Sequence, residues 1–106
     1  MRLKMIKKLK NIHPGEILLH EFLIPFGISQ NKLGVAINVP PRRINEICLN
    51  KRAVSVDTAI RLGKYFDTGA QFWLNLQHMY DVEETTSIRQ GAYSNIKSYV
   101  HYEKAA

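Results

Sequence analysis

Between residues 13 and 80 the apolar positions recur three and four apart, in short bursts separated by proline, glycine and asparagine. That period belongs to helices with one buried side. The first burst is Ile17, Leu18 and Phe22, with Leu19 beside them. His13 precedes a proline and is biased toward an extended conformation. The helix is therefore predicted to open at Pro14, with Glu16 in the first turn, where the helix dipole favours an acid. Pro25 and Gly27 are predicted to stop it. A second helix follows Ser29, whose hydroxyl is placed to cap it, and Leu33 and Ile37 lie one turn apart on its inner side. Asn38 tolerates the left-handed conformation that ends a helix, and Pro40 and Pro41 suit the entry of a third. There Ile44 and Ile47 share a face and Arg42, Arg43, Asn45 and Glu46 occupy the others. Ser55 caps a fourth helix with Ala59, Leu62 and Phe66 in one stripe and Val56 and Tyr65 near it. Asp67, Thr68 and Gly69 break that pattern. A fifth carries Phe72, Trp73, Leu76, Met79 and Tyr80 on a broad apolar side and meets no proline or glycine before Gly91. Nothing up to Tyr80 reads as a strand, so the predicted fold is all-α.

Beyond Tyr80 the pattern weakens. Asp81, Glu83 and Glu84 make an acidic start, and the fifth helix is expected to run on toward Gln90 and end at Gly91. Tyr93, Ile96 and Val100 then fit a helix, while Ile96, Ser98, Val100 and Tyr102 fit a strand equally well; so short a run leaves both open. The expected division is a basic N-terminal arm at 1–12, a helical domain at 13–83 and a C-terminal extension at 84–106.

Composition narrows the function. The chain has 106 residues, 45% of them apolar, enough for one domain with a small core. Its formal net charge is +6, which fits a polyanionic partner. The arm MRLKMIKKLK is part of that charge, read either as a solvated terminus or as a segment resting on phosphates or a partner protein. Cys48 is the only cysteine, so an internal disulfide and a cysteine-rich zinc site are excluded. Ile47 and Leu49 beside it suggest a buried thiol, and a reducing cytoplasm is the expected home. No apolar run approaches the ~20 residues that span a bilayer, and the N-terminus lacks the apolar core of a secretory signal. The four histidines, His13, His20, His78 and His101, have no pair at metal-binding spacing. No glycine-rich phosphate loop or nucleophile elbow is present. Neither an enzyme nor a cofactor-binding protein is expected.

The stretch SQNKLGVAINVPPRRINEI reads as two helices across a tight turn, which resembles a DNA-binding helix-turn-helix. Gly34 is small where the second motif helix comes close to the first. In that second helix Arg42 and Asn45 are the candidates for base edges, because arginine pairs with guanine O6 and N7 and asparagine with adenine N6 and N7. Glu46 either accepts from cytosine N4 or orients an arginine, and Arg43 lies to the side, toward phosphate. Pro41 opens the same helix at the DNA-facing end. Gln30, Asn31 and Lys32 sit in the first turn of the preceding helix, whose N–H groups attract phosphate, and Lys51 and Arg52 follow the motif as further phosphate contacts. Glu46 is the only acid between Ser29 and Arg52.

From His13 to Asp81 the chain resembles the HigA family of addiction-module antitoxins, the virulence-associated protein I group. The residues that carry this are HPGEILLHEFLIPFGISQNKL, VPPRRINEI and NKRAVSVDTAIRLGKYFDTGAQFWLNLQ. The resemblance implies a five-helix, lambda-repressor-like domain with a central helix-turn-helix. It also implies a homodimer that binds operator DNA, represses its own operon and neutralises a HigB-type toxin, a ribosome-dependent mRNA-cleaving ribonuclease. A solitary regulator of the same fold, without a toxin, is the alternative. Gly34 stands where the family commonly has alanine and Asn38 where it has glycine; the tail from Glu83 onward matches no family pattern. Phe72, Trp73, Leu76, Met79 and Tyr80 are read either as core or as a dimer seam, since palindromic operators need two recognition helices about 34–36 Å apart. Phe72 and Trp73 are adjacent and cannot easily share one inward stripe, so one of them is a candidate to meet a second subunit.

Overall fold

Side-chain caps open three of the five main helices in the computed structural model, which describes residues 11–100. His13 is extended (ψ 143°) and its ring nitrogen Nδ1 accepts the Gly15 N–H at 2.9 Å, starting α1 (residues 14–26). Ser29 Oγ accepts the Lys32 N–H at 3.0 Å to start α2 (Gln30–Ile37). Pro40 and Pro41 lead into α3 (Pro41–Cys48), and a proline in the first turn needs no partner for the N–H it lacks. Ser55 caps α4 (Val56–Phe66) through the Thr58 N–H at 3.2 Å. The last long helix, α5, runs Ala70–Ile88, and a single turn, α6, follows at Gln90–Tyr93. Left-handed residues close α1 at Gly27, α2 at Asn38 and α4 at Asp67.

Gly27 ends α1 as expected, but Pro25 does not stop it: the helix widens into a π-helical stretch at Leu18–Leu23 and continues to Phe26. A proline in a regular helix meets the carbonyl four residues back. Here Ile24 N–H reaches back five residues to Leu19 O, so the stretch that enters Pro25 does not follow the four-residue pattern that a proline interrupts. The fifth helix ends at Ile88 rather than running to Gln90, and Gly91 lies inside α6 instead of ending α5. α5 nevertheless passes through residues 83 and 84. Asn11 Nδ2 donates to Glu84 Oε2 at 2.8 Å, which ties the segment ahead of α1 to α5. The Ile96 N–H bonds to Tyr93 O in a turn that breaks the helix read through Tyr93, Ile96 and Val100, although residues 99 and 100 are helical. The strand read from Ile96 is not formed at 96–100, and its end at Tyr102 lies outside the described residues. No strand is present among the described residues. Residues 1–10 of the basic arm, with His101 and Tyr102, lie outside the described residues.

The core is one apolar cluster drawn from every main helix: Leu18, Leu23, Leu33, Ile44, Ile47, Ala59, Leu62 and Trp73 are all at most 2% exposed. Trp73 corrects one expectation. It is 0% exposed, its ring is tilted against Phe22 at 5.1 Å, and its indole N–H donates to Thr68 Oγ1 at 2.9 Å. Every face of it is used inside the chain, so it is not available to a dimer seam. Its neighbour Phe72 is the one left partly open, at 37% exposed.

Candidate nucleic-acid interface

The turn between α2 and α3 is set by Gly34, Asn38, Val39 and Arg61. Asn38 takes the left-handed conformation (φ 60°, ψ 48°), and its N–H and that of Val39 bond back to carbonyls of α2. Val39, just after it, is buried. Gly34 leaves room for the returning chain: a Cβ there would lie 2.7 Å from Val39 O and 3.1 Å from Pro41 Cα. Arg61, 24 residues on, completes the turn by donating from Nη1 to Ile37 O at 3.0 Å, near the end of α2 where carbonyls lack helical partners. Asp57 holds that arginine through its Nε at 2.9 Å.

On its inner side α3 is seated by Ile44 and Ile47, both 0% exposed. The opening of α1 presses against its far end, where Gly15 faces the Ile47 carbonyl. The outer side is polar. Arg42 and Asn45 are exposed, and Arg43 and Glu46 half-buried. Pro41, Asn31, Lys32, Lys51 and Arg52 are exposed around them, and Gln30 is half-buried.

Two contacts organise this face. Asn45 Nδ2 donates to Gln30 Oε1 at 2.9 Å, joining the middle of α3 to the first turn of α2. Glu46 gathers two arginines: Oε1 accepts from Arg52 Nε at 2.7 Å, and Oε2 lies 3.4 Å from Arg42 Nε, one helical turn away. The hydrogen bond from Arg52 is the main cause that holds the Glu46 carboxyl below its ordinary pKa. The Glu46 backbone carbonyl also accepts the Lys51 N–H at 2.8 Å, after a left-handed Asn50 (φ 62°) has turned the chain. The result is a shallow hollow of about 280 Å³ lined by Pro40, Arg42, Arg43, Glu46 and Arg52.

Several residues that support this face do not show as functional in the sequence. His13 is 3% exposed, capped onto Gly15 and edge-on to Tyr80 at 4.9 Å; burial lowers its pKa, against the opposing pull of Asp81 and Glu16. Gly15 and Arg61 act through space on α3 and α2. The HPG triplet carried a signal for the first two, as a helix start; nothing local pointed to Arg61. Cys48 is buried and its thiol is pushed up to about 11 by burial, so it stays protonated and unreactive at neutral pH. Among the described residues no cluster of His, Cys, Asp or Glu could hold a metal, and no helix is long and apolar enough to cross a membrane.

A helix-turn-helix family model matches residues 19–73, from within α1 to the start of α5. Virulence-associated protein I of Dichelobacter nodosus is 48% identical over 79 residues, covering 74% of this chain and 73% of that protein. Antitoxin HigA-1 of Vibrio cholerae is 30% identical over 100 residues, or 93% and 94% of the two chains.

The chain belongs to the HigA family of helix-turn-helix antitoxins.

Its fold agrees with a solved HigA structure, the Pseudomonas aeruginosa antitoxin HigA with the higBA promoter, at a TM-score of 0.81 and 43% identity; the match covers 85% of this chain and 99% of that one. HigA membership accounts for the all-helical architecture, and the protein is not an enzyme.

Proposed function

We propose that this HigA-family protein binds operator DNA through α3, represses the operon that encodes it, and neutralises a HigB-type mRNA-cleaving toxin in the cytoplasm. The observation that carries the DNA half is the exposed face of α3, where Arg42 and Asn45 stand clear of the body while Ile44 and Ile47 anchor the opposite side. Asn45 is suited to an adenine even with its bond to Gln30. Its amide nitrogen carries two hydrogens, so one goes to Gln30 and the other, with Oδ1, remains for adenine N7 and N6. Arg42 is assigned to guanine. Arg43, Lys32, Lys51 and Arg52, with Gln30 and Asn31 at the start of α2, are assigned to phosphates.

The toxin half is supported by the family, and so is a homodimer. On α5, Phe72 and Met79 are exposed and Leu76 and Tyr80 partly so, which suits this helix to a seam between two copies. The proposed DNA-binding unit, read from the sequence as 13–83, shares its last helix with residues 84–88 and is tied to Asn11 through Glu84. The test has two arms. Titration of the protein with the duplex upstream of its own gene should give tighter binding than a scrambled duplex of equal length and composition. Co-expression with the neighbouring reading frame should give a stable complex on purification. Promoter binding without co-purification would favour a solitary regulator, and equal affinity for both duplexes would refute the DNA-binding reading.

A further inference from the structure

Glu46 is an acid in the middle of a face that otherwise carries Lys32, Arg42, Arg43, Lys51 and Arg52. By charge alone it weakens binding to every duplex, whatever the sequence. Yet both of its carboxylate oxygens are occupied by arginines, one from the first turn of α3 and one from the loop beyond it. The two arginines are engaged at Nε. Arginine has five N–H donors in a planar fork, so the Nη hydrogens of each remain available for DNA. Arg42 is 89% exposed along its side chain and Arg52 49%, so without an acceptor between them both would sample many rotamers and repel each other.

We propose that Glu46 is a positioning residue: it contacts no base, and by holding Arg42 and Arg52 in one cluster it raises the preference of this face for operator over other DNA. The geometry supports that role over direct reading of cytosine, because both carboxylate oxygens face arginine Nε atoms, Oε1 at 2.7 Å from Arg52 and Oε2 at 3.4 Å from Arg42, and a cytosine amino group would have to compete with two cations for them. The loop contributes as well. The Lys51 N–H on the Glu46 carbonyl brings Arg52 back over α3, so main chain and side chain of one residue fix the same loop.

This rests on the DNA-binding reading above, and the experiment separates the two. Affinities of the full chain for the promoter duplex and for a scrambled duplex are measured at low salt for wild type, Glu46→Ala, Glu46→Gln, the double variant Arg42→Ala/Arg52→Ala, and the triple variant. Helical circular dichroism checks that each is folded. Glu46→Ala should bind the scrambled duplex about twofold more tightly, because a negative charge is gone. It should bind the promoter more weakly, so that the preference for the promoter falls roughly five- to tenfold, the lower end of what one arginine–base contact contributes. Glu46→Gln should fall between, since its amide oxygen still accepts from arginine Nε. In the background that lacks both arginines, Glu46→Ala should leave the preference unchanged. A parallel gain on both duplexes would overturn the proposal in favour of a simple charge effect. An equal loss of preference with and without the arginines would overturn it in favour of direct base reading. A wild type with no preference for the promoter would remove the DNA-binding reading itself, and this proposal with it.

Discussion

Replacing Gly15 with alanine adds one methyl group where the opening of α1 meets the end of α3. A Cβ at this position would sit 2.7 Å from the Ile47 carbonyl carbon and 3.1 Å from Cys48 Cα, and closer still to Ile47 O. These obstacles are main chain, so no rotamer change clears them; one helix must move. Overpacking of this kind costs ~1–3 kcal/mol, and the upper end applies because the neighbours cannot give. Against this, alanine gains at most about 1 kcal/mol over glycine in a helix. The expected net loss is therefore about 2 kcal/mol. At roughly 4–8 °C per kcal/mol for a domain of this size, the midpoint should fall by roughly 8–16 °C. Gly91→Ala is the control: it is also a glycine in a helix, but a Cβ there meets nothing within 4 Å, so its midpoint should hold or rise. Thermal melts followed by helical circular dichroism decide the matter. A Gly15→Ala variant that melts with or above wild type would refute the close approach of α1 to α3.

Two further outcomes follow from buried polar groups. The His13 pKa in the fold lies below its ordinary 6.5, chiefly because burial disfavours the charged ring. The unfolded chain therefore binds more protons near that pH, so the stability from neutral His13 is complete above 6.5 and is lost as pH falls below it. Urea midpoints should drop between pH 7 and pH 5, and His13→Asn, a cap that does not titrate there, should flatten the decline; an unchanged slope would remove His13 as its source. Gln77 is 5% exposed, and its Oε1 accepts the Val54 N–H at 2.8 Å while Nε2 donates to Asp81. Gln77→Leu strands that buried N–H and should cost ~1–3 kcal/mol in urea unfolding; a change under a few tenths would contradict the bond's importance.

Much of this architecture is legible in the residue pattern, because the signals that mark it are local. Ser29 and Ser55 are caps whose hydroxyls reach an N–H three residues on, and Asn38 ends α2 through its own backbone. The apolar residues that seat α3, Ile44 and Ile47, are one turn apart and read directly from the sequence. Pro25 misleads because its usual effect presumes a regular helix, and the π-helical stretch before it depends on packing that no local rule contains. Trp73 and Phe72 could be ranked only once α5 was laid against Phe22 and Phe66. At the interface, residue types pointed to Arg42, Asn45 and Glu46, but their partners Gln30 and Arg52 were paired with them only by the turn geometry. The Arg61 contact with Ile37 and the approach of Gly15 to Ile47 come from tertiary packing, and the sequence offered no spacing that would reveal them.

The salt dependence of promoter binding by wild type and Arg42→Ala tests the central claim most directly. Phosphate contacts release counterions, so affinity should fall steeply and linearly on logarithmic axes as salt rises. Arg42→Ala should lose roughly 1–3 kcal/mol on the promoter, much less on a scrambled duplex, and keep its helical spectrum. A shallow salt slope together with unchanged promoter affinity in Arg42→Ala would contradict the assignment of α3 as the DNA-reading helix.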